Sequence, residues 1–285
     1  MCKRVCKQAV KGLIRFLKLS FSSFFSLLKM TKNCKFSLYN SVNEPAGRNK
    51  LLRILGNGSS LNEVLEDLES SKTEYMVVNR HVLHESYEVI KPKYYVLADP
   101  HFFSHPEGLS ILQQIVDKTT WDMYLYIPAS AGRPKVGINN QHIKLRWYNT
   151  FHFDGFGSWQ TFFYQHNLAM PIAQNVMVAT TYIATCKHFE RVELYGVEHS
   201  WTKFLFVDDE NDVCLYNSHF YDKGEVDYKK VKDIQHEEAY TIALILRQYA
   251  QMFDSYWDIE AFAKKNGVRI INCSKGSFID AFERG

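Results

Sequence analysis

A glycine turn, two asparagines, an acid–proline pair and a tyrosine-flanked histidine are the residues of this chain whose types and spacing could do chemistry. The turn lies in LLRILGNGSSL at 51–61. An apolar run leads into Gly56, Asn57 and Gly58, and Ser59 and Ser60 follow where a helix would begin. Glycines there permit a tight turn and close approach of a ligand, and free N–H groups at a helix start attract phosphate. Ser60 and Glu63 have capping-box spacing. Leu61 stands where a dinucleotide fingerprint would place its third glycine, so the pattern is not GxGxxG. A structural turn without a ligand is the competing explanation.

Asn79 ends the next apolar run, where dinucleotide enzymes usually place an acid for the ribose. An amide both donates and accepts, which suits a pyrimidine edge or a sugar hydroxyl. Asp99 precedes Pro100 in LADPHFF, as a ligand acceptor or as a turn cap. RVELYGVEHSW at 191–201 reads as a buried strand ending at Gly196, with Glu198, His199, Ser200 and Trp201 at its mouth. LYNSHFYD at 215–222 sets His219 between Tyr216 and Tyr221. Imidazole is the natural base for an acceptor hydroxyl near neutral pH, although most histidines in a chain are structural. No metal site is expected. The acids at 208–212 read as a solvated turn between two short strands, and HExxH, zinc spacing and the GxSxG elbow are absent.

The elements that must position these residues alternate. Strands are expected at 51–55, 75–78, 94–98, 123–127, 191–195 and 268–272, and helices at 61–70, 107–117, 172–187, 236–252 and 257–265. Such alternation predicts an α/β, Rossmann-like, mostly parallel sheet with helices on both faces and a ligand at the carboxyl ends of the strands. Residues 129–168 and 199–235 interrupt the pattern and are expected to form a small lid region.

Charge divides the chain. Residues 1–35 hold nine of the 34 basic residues and no acid, so the rest is net acidic, with 25 basic against 31 acidic residues. An acidic body argues against nucleic acid as a partner. In the first 32 residues Leu13, Leu17, Phe21, Phe24 and Leu28 recur at helical spacing, with Lys7, Lys11, Arg15 and Lys18 expected on the opposite face. The longest charge-free run, 19–28, is about half of the roughly 20 residues a membrane span needs. A basic amphipathic helix at an anionic membrane surface is the expectation, and packing on the body or a partner is its rival. Residues 33–49 read as a linker before a catalytic domain at 50–285. The six cysteines form no CxxC pair and read as reduced thiols.

Taken together, these motifs resemble one family. The strand–GNGSSL–helix opening is similar to the GNGPSL element of the bacterial sialyltransferases of glycosyltransferase family 42, and to the motility-accessory-factor flagellin glycosyltransferase domains. Asn79, Asp99–Pro100, the helix before RVELYGVEHS, and NSHFYD match further elements in order over about residues 50–285. The resemblance implies a GT-A-type Rossmann variant with a small lid, a CMP-activated sugar donor, inversion, no cofactor and no required metal. It implies nucleotide contacts from Asn57 and Asn79, and His219 as the base. A cell-surface glycan or glycolipid acceptor and the cytoplasmic face of a bacterial inner membrane are the accompanying expectations, and a homo-oligomer is left open. Ser59 replaces the family's proline. Gln174–Asn175 replaces a Ser-Gly beside the donor, and Glu198–Trp201 replaces an acid, an aromatic and a phosphate-binding tyrosine. The donor sugar is accordingly sialic acid or another nonulosonic or ulosonic acid. With Gly56, Gly58, Ser59, Ser60, Gly196, His199, Ser200, Trp201, Tyr216 and Tyr221, these residues form the expected donor site. An ATP-dependent pterin-type pyrophosphokinase and a non-catalytic nucleotide-binding scaffold at the membrane are the alternatives.

Overall fold

The computed structural model describes residues 2–43, 51–65, 73–132, 134–216, 228–231 and 240–285. Its centre is an eight-stranded sheet. The strands are β1 (Leu51–Leu55), β2 (Glu74–Val78), β3 (Tyr94–Val96), β4 (Met123–Pro128), β5 (Ile143–Tyr148), β6 (Arg191–Tyr195), β10 (Arg269–Asn272) and β11 (Glu283–Arg284). Their order is β11-β10-β6-β1-β2-β3-β4-β5, with every pairing parallel. The parallel α/β expectation holds. From β1 the chain builds outward through β2 to β5, then returns to place β6 on the other side. The switch point therefore lies between β1 and β6, where a crevice opens at the carboxyl ends.

Strands covered on both faces are apolar along their length. Leu52 and Ile54 of β1 face one core, with α6 (Val176–Cys186) and α7 (Ile242–Asn266) above them. Leu55 faces the other, with α2 (Ser86–Ile90), α3 (His101–Ser104) and α4 (Pro106–Lys118). Ten of the eleven α6 residues are buried, so this helix runs through the interior.

Several boundaries differ from expectation. The helix expected at 61–70 is a 3-10 turn over Ser59–Glu63, and residues 66–72 lie outside the described residues. The two helices expected at 236–252 and 257–265 are one, α7, because no glycine or proline interrupts it before Gly267 closes it at φ +69°. The helix expected from 172 starts at Val176, where the Asn175 side chain accepts from the Val178 N–H at 3.0 Å.

Residues 129–168 supply the edge strand β5 and α5 (Gly157–Gln165), and none of the described ones lines the cavity at the carboxyl ends of the strands. In the 199–235 stretch, β7 (Leu205–Val207), β8 (Val213–Tyr216) and β9 (Tyr228–Lys230) form a separate antiparallel sheet. Its β7–β8 turn is the acid cluster, closed by Asp208 accepting from the Glu210 and Asp212 N–H groups and by Lys230 reaching Glu210 and Asp212. The long first helix, α1 (Cys2–Asn33), is present, and 34–43 lies on the body with Cys34 and Val42 buried.

Candidate functional site

A cavity of about 600 Å³ fills the crevice, within the size range of small-molecule sites. Residues after β1 (Asn57, Gly58, Ser59), β2 (Asn79), β3 (Asp99, Pro100) and β6 (Gly196, His199, Ser200, Trp201) line it, with Gln174 and Asn175 at the start of α6. Eleven of the expected site residues therefore meet in one cavity. Gly56 and Ser60 are not among its lining residues. His219 and Tyr221 lie outside the described residues, as does the side chain of Tyr216.

Three amides of the glycine turn are taken by protein groups. The Gly56 N–H donates to the Tyr195 carbonyl at 2.8 Å and the Gly58 N–H to the Gly196 carbonyl at 2.9 Å. The Ser60 N–H donates to the Glu198 carboxylate at 2.6 Å. These three amides are committed to the β6 turn, so they offer nothing to a phosphate. A Cβ on Gly58 would overlap the Glu198 carboxylate, and one on Gly56 would overlap the Gly196 carbonyl. The missing side chains thus make room for the β6 turn, and Glu198 is an anion that this turn already holds. The expected capping box is absent as well. Ser60 Oγ has no partner, and Glu63 pairs with Lys275 at 3.2 Å.

Asn57 and Asn79 meet the cavity differently. The side-chain oxygens of both are buried without a hydrogen-bond partner. Such an orphan costs about 1–3 kcal/mol of desolvation unless something donates to it. Asn79 is held in the left-handed region at φ +48°, with its N–H on the Val96 carbonyl at 3.2 Å and its carbonyl accepting from the Tyr95 hydroxyl at 2.6 Å. His199, at φ +49°, is a second left-handed residue on the cavity wall. Backbone strain of this kind clusters at functional sites.

His199 is buried against α7, its Nε2 2.6 Å from the Tyr256 hydroxyl and 3.2 Å from the Asn175 amide. Trp201 stacks on its ring at 4.5 Å. Burial pushes the imidazole down to about 3. It is therefore neutral near pH 7 and brings no positive charge to a leaving group. Asp99 caps its own turn by accepting from the His101 N–H at 2.8 Å. Among the described lining residues, Asp99 and Glu198 are acids and none is lysine or arginine. At the start of α6, Val178 N–H is taken by the Asn175 cap, while Val176 and Met177 line the cavity at the positive end of the helix dipole, where their N–H groups have no intrahelical partner.

A recess of about 200 Å³ adjoins the cavity and shares Gln174, Asn175 and Trp201 with it. Leu215 of β8 and Gln248, Tyr249 and Met252 of α7 complete it. The α7 residues are not legible as site residues because they read as one more amphipathic face, and Phe204 because it lies in the irregular 199–235 stretch.

Two solved glycosyltransferase structures resemble this fold. One is the structure of MAf glycosyltransferase from Magnetospirillum magneticum AMB-1, at TM-score 0.47 and 12% identity over 88% of this chain. This chain spans 38% of that protein's length. The other is the sialyltransferase CstII from Campylobacter jejuni in complex with a substrate analogue, cytidine-5'-monophosphate. It matches at TM-score 0.42 and 13% identity, over 84% of this chain and 86% of that one. No protein-family model and no curated protein matches the sequence.

Proposed function

We propose that the protein is a glycosyltransferase that moves a sugar from a CMP-activated donor, sialic acid or a related nonulosonic or ulosonic acid, to a hydroxyl of a cell-surface glycan or glycolipid. The observation that carries this reading is the pair of unpartnered asparagine oxygens, Asn57 and Asn79, beside a cavity at the sheet's switch point. A cytosine amino group or ribose hydroxyls would donate to them. The anionic part of the donor would sit between the start of α6, at its Val176 and Met177 N–H groups, and the Asn57–Ser59 part of the glycine turn.

In this mechanism an acceptor hydroxyl attacks the anomeric carbon. The bond from that carbon to the phosphate oxygen breaks, CMP leaves with the electron pair, and the configuration inverts. His219 takes the hydroxyl proton. It follows β8 by three residues, and Leu215 of that strand already lines the adjoining recess. The α6 dipole and donors such as Ser200, Trp201, Tyr216 and Tyr221 would meet the leaving charge without a metal.

Asp99 and Glu198, with no basic residue among the described lining, favour a second reading. Two acids could hold a magnesium ion for an ATP-dependent pyrophosphokinase. A thermal-shift comparison of CMP, UDP, GDP and ATP, with and without magnesium, separates the two. A shift with CMP that survives chelator supports the transferase. A shift with ATP and magnesium alone replaces it. His219→Ala should abolish transfer and leave CMP binding intact, and near wild-type transfer would remove His219 as the base.

A further inference from the structure

The first helix meets the body along a narrow stripe. Ser23 Oγ accepts from the Phe156 N–H and Ser26 Oγ from the Asp154 N–H, each at 3.0 Å, and Met30 enters the main core. Gly155, at φ +147°, sits against Ser23 so closely that a side chain there would collide with the helix backbone. These contacts fix which way α1 is rotated.

The apolar residues Phe21, Phe24 and Leu28 each precede a docked residue, Ser23, Ser26 and Met30, by two positions. Two residues are about 200° around an α-helix, so the apolar stripe faces away from the body. Leu13, Leu17, Phe21, Phe24 and Leu28 are exposed by 60, 58, 68, 57 and 49%. All of residues 7–18 are exposed. Lys7, Lys11, Arg15 and Lys18 lie about 80–160° round from the stripe, along one flank rather than opposite it. On the other flank Phe16 packs on Phe156 at 5.7 Å, and Phe156 on the half-exposed Trp159 at 6.0 Å. No described helix is long and apolar enough to cross a membrane.

We infer that this face is a docking surface for an anionic lipid bilayer, on which α1 lies in the headgroup plane with its stripe inserted. The charge selects that occupant: nine basic residues and no acid in 1–35 complement anionic headgroups. The lysines on one flank extend their stems along the boundary and keep their ammonium groups among the phosphates. Trp159 has the amphipathic ring that favours the interface. Because the stripe points outward, the bilayer meets it without displacing the body.

The full chain is sedimented with vesicles of phosphatidylglycerol and phosphatidylcholine in equal parts, and with phosphatidylcholine alone. Binding is expected to the first only, and to weaken as salt is raised. Replacing Leu17, Phe21 and Phe24 together by Glu should lower partition more than about a hundredfold. These side chains are exposed, so the circular dichroism spectrum should not change. Lys7→Gln, Lys11→Gln and Lys18→Gln should each cost about fivefold. Absence of binding to the anionic vesicles would overturn the inference. So would equal, salt-independent binding to both vesicle types, or an oligomer that the triple substitution converts to monomer. None of these outcomes depends on the transferase reading.

Discussion

Lowering the pH should destabilise the protein through two buried histidines, and His199 is the one that bears on the site. His199 and His81 are both held at about 3 by burial, against an ordinary value of 6.5. Between those values each takes up a proton only on unfolding. Stability is therefore intact above about pH 6.5, falls as the pH drops below it, and stops falling near 3. For a group moving from 6.5 to about 3, the loss between pH 7 and pH 5 is about 2 kcal/mol, so the pair contributes about 4 kcal/mol. That is a large share of the roughly 5–15 kcal/mol that holds a domain folded. Urea unfolding at pH 7 and pH 5, followed by tryptophan fluorescence, measures it. His199→Gln keeps a polar group near Tyr256 and removes one titration, so its loss between the two pH values should be about 2 kcal/mol smaller than in the parent. Equal losses in parent and variant would refute the argument that burial holds His199 neutral. His199 could then supply positive charge to a leaving phosphate.

The remaining predictions concern the cavity wall. Asn57→Ala and Asn79→Ala should each weaken CMP binding about tenfold, measured by isothermal titration, since each removes about 1–2 kcal/mol of hydrogen bonding. Unchanged affinity would show that those oxygens do not meet the nucleotide. Gly58→Ala should displace the Glu198 carboxylate from the Ser60 N–H and cost about 1.5–3 kcal/mol, the worth of a hydrogen bond to a charged group. Denaturant unfolding reads this directly. Because the Glu198 contact is made within the protein, the variant's loss should appear in the absence of nucleotide. Gly196→Ala places a side chain at φ +64° against Leu61, and should destabilise by about 1–2 kcal/mol by the same measurement.

Much of the fold is legible in local pattern. The apolar runs at β1, β2, β4, β6 and β10 read as buried parallel strands because both faces of such a sheet are covered. Strand β5 is not legible in this way. Lys144 and Arg146 alternate along an edge strand, and the run looks polar. The residues that gather at the cavity were legible for a topological reason. Asn79, Asp99 and His199 follow apolar strands, and the carboxyl ends of neighbouring parallel strands share one crevice. The role of the glycine turn was not legible, because its partner, Glu198, lies 138 residues from Ser60.

The sequence by itself determined the alternation of elements, the charge division and the helical spacing of the first residues, since each is set by chemistry within a few residues. Only the tertiary structure decided which groups were left free. It committed the Gly56, Gly58 and Ser60 amides to the β6 turn, neutralised His199 by burial beside Tyr256, and left the Asn57 and Asn79 oxygens unpartnered. By seating Ser23 on Gly155 it also turned the apolar stripe of α1 outward. A hydrogen-bonding group binds a ligand only if no protein group has already claimed it, and the competing groups come from elements far apart in the chain.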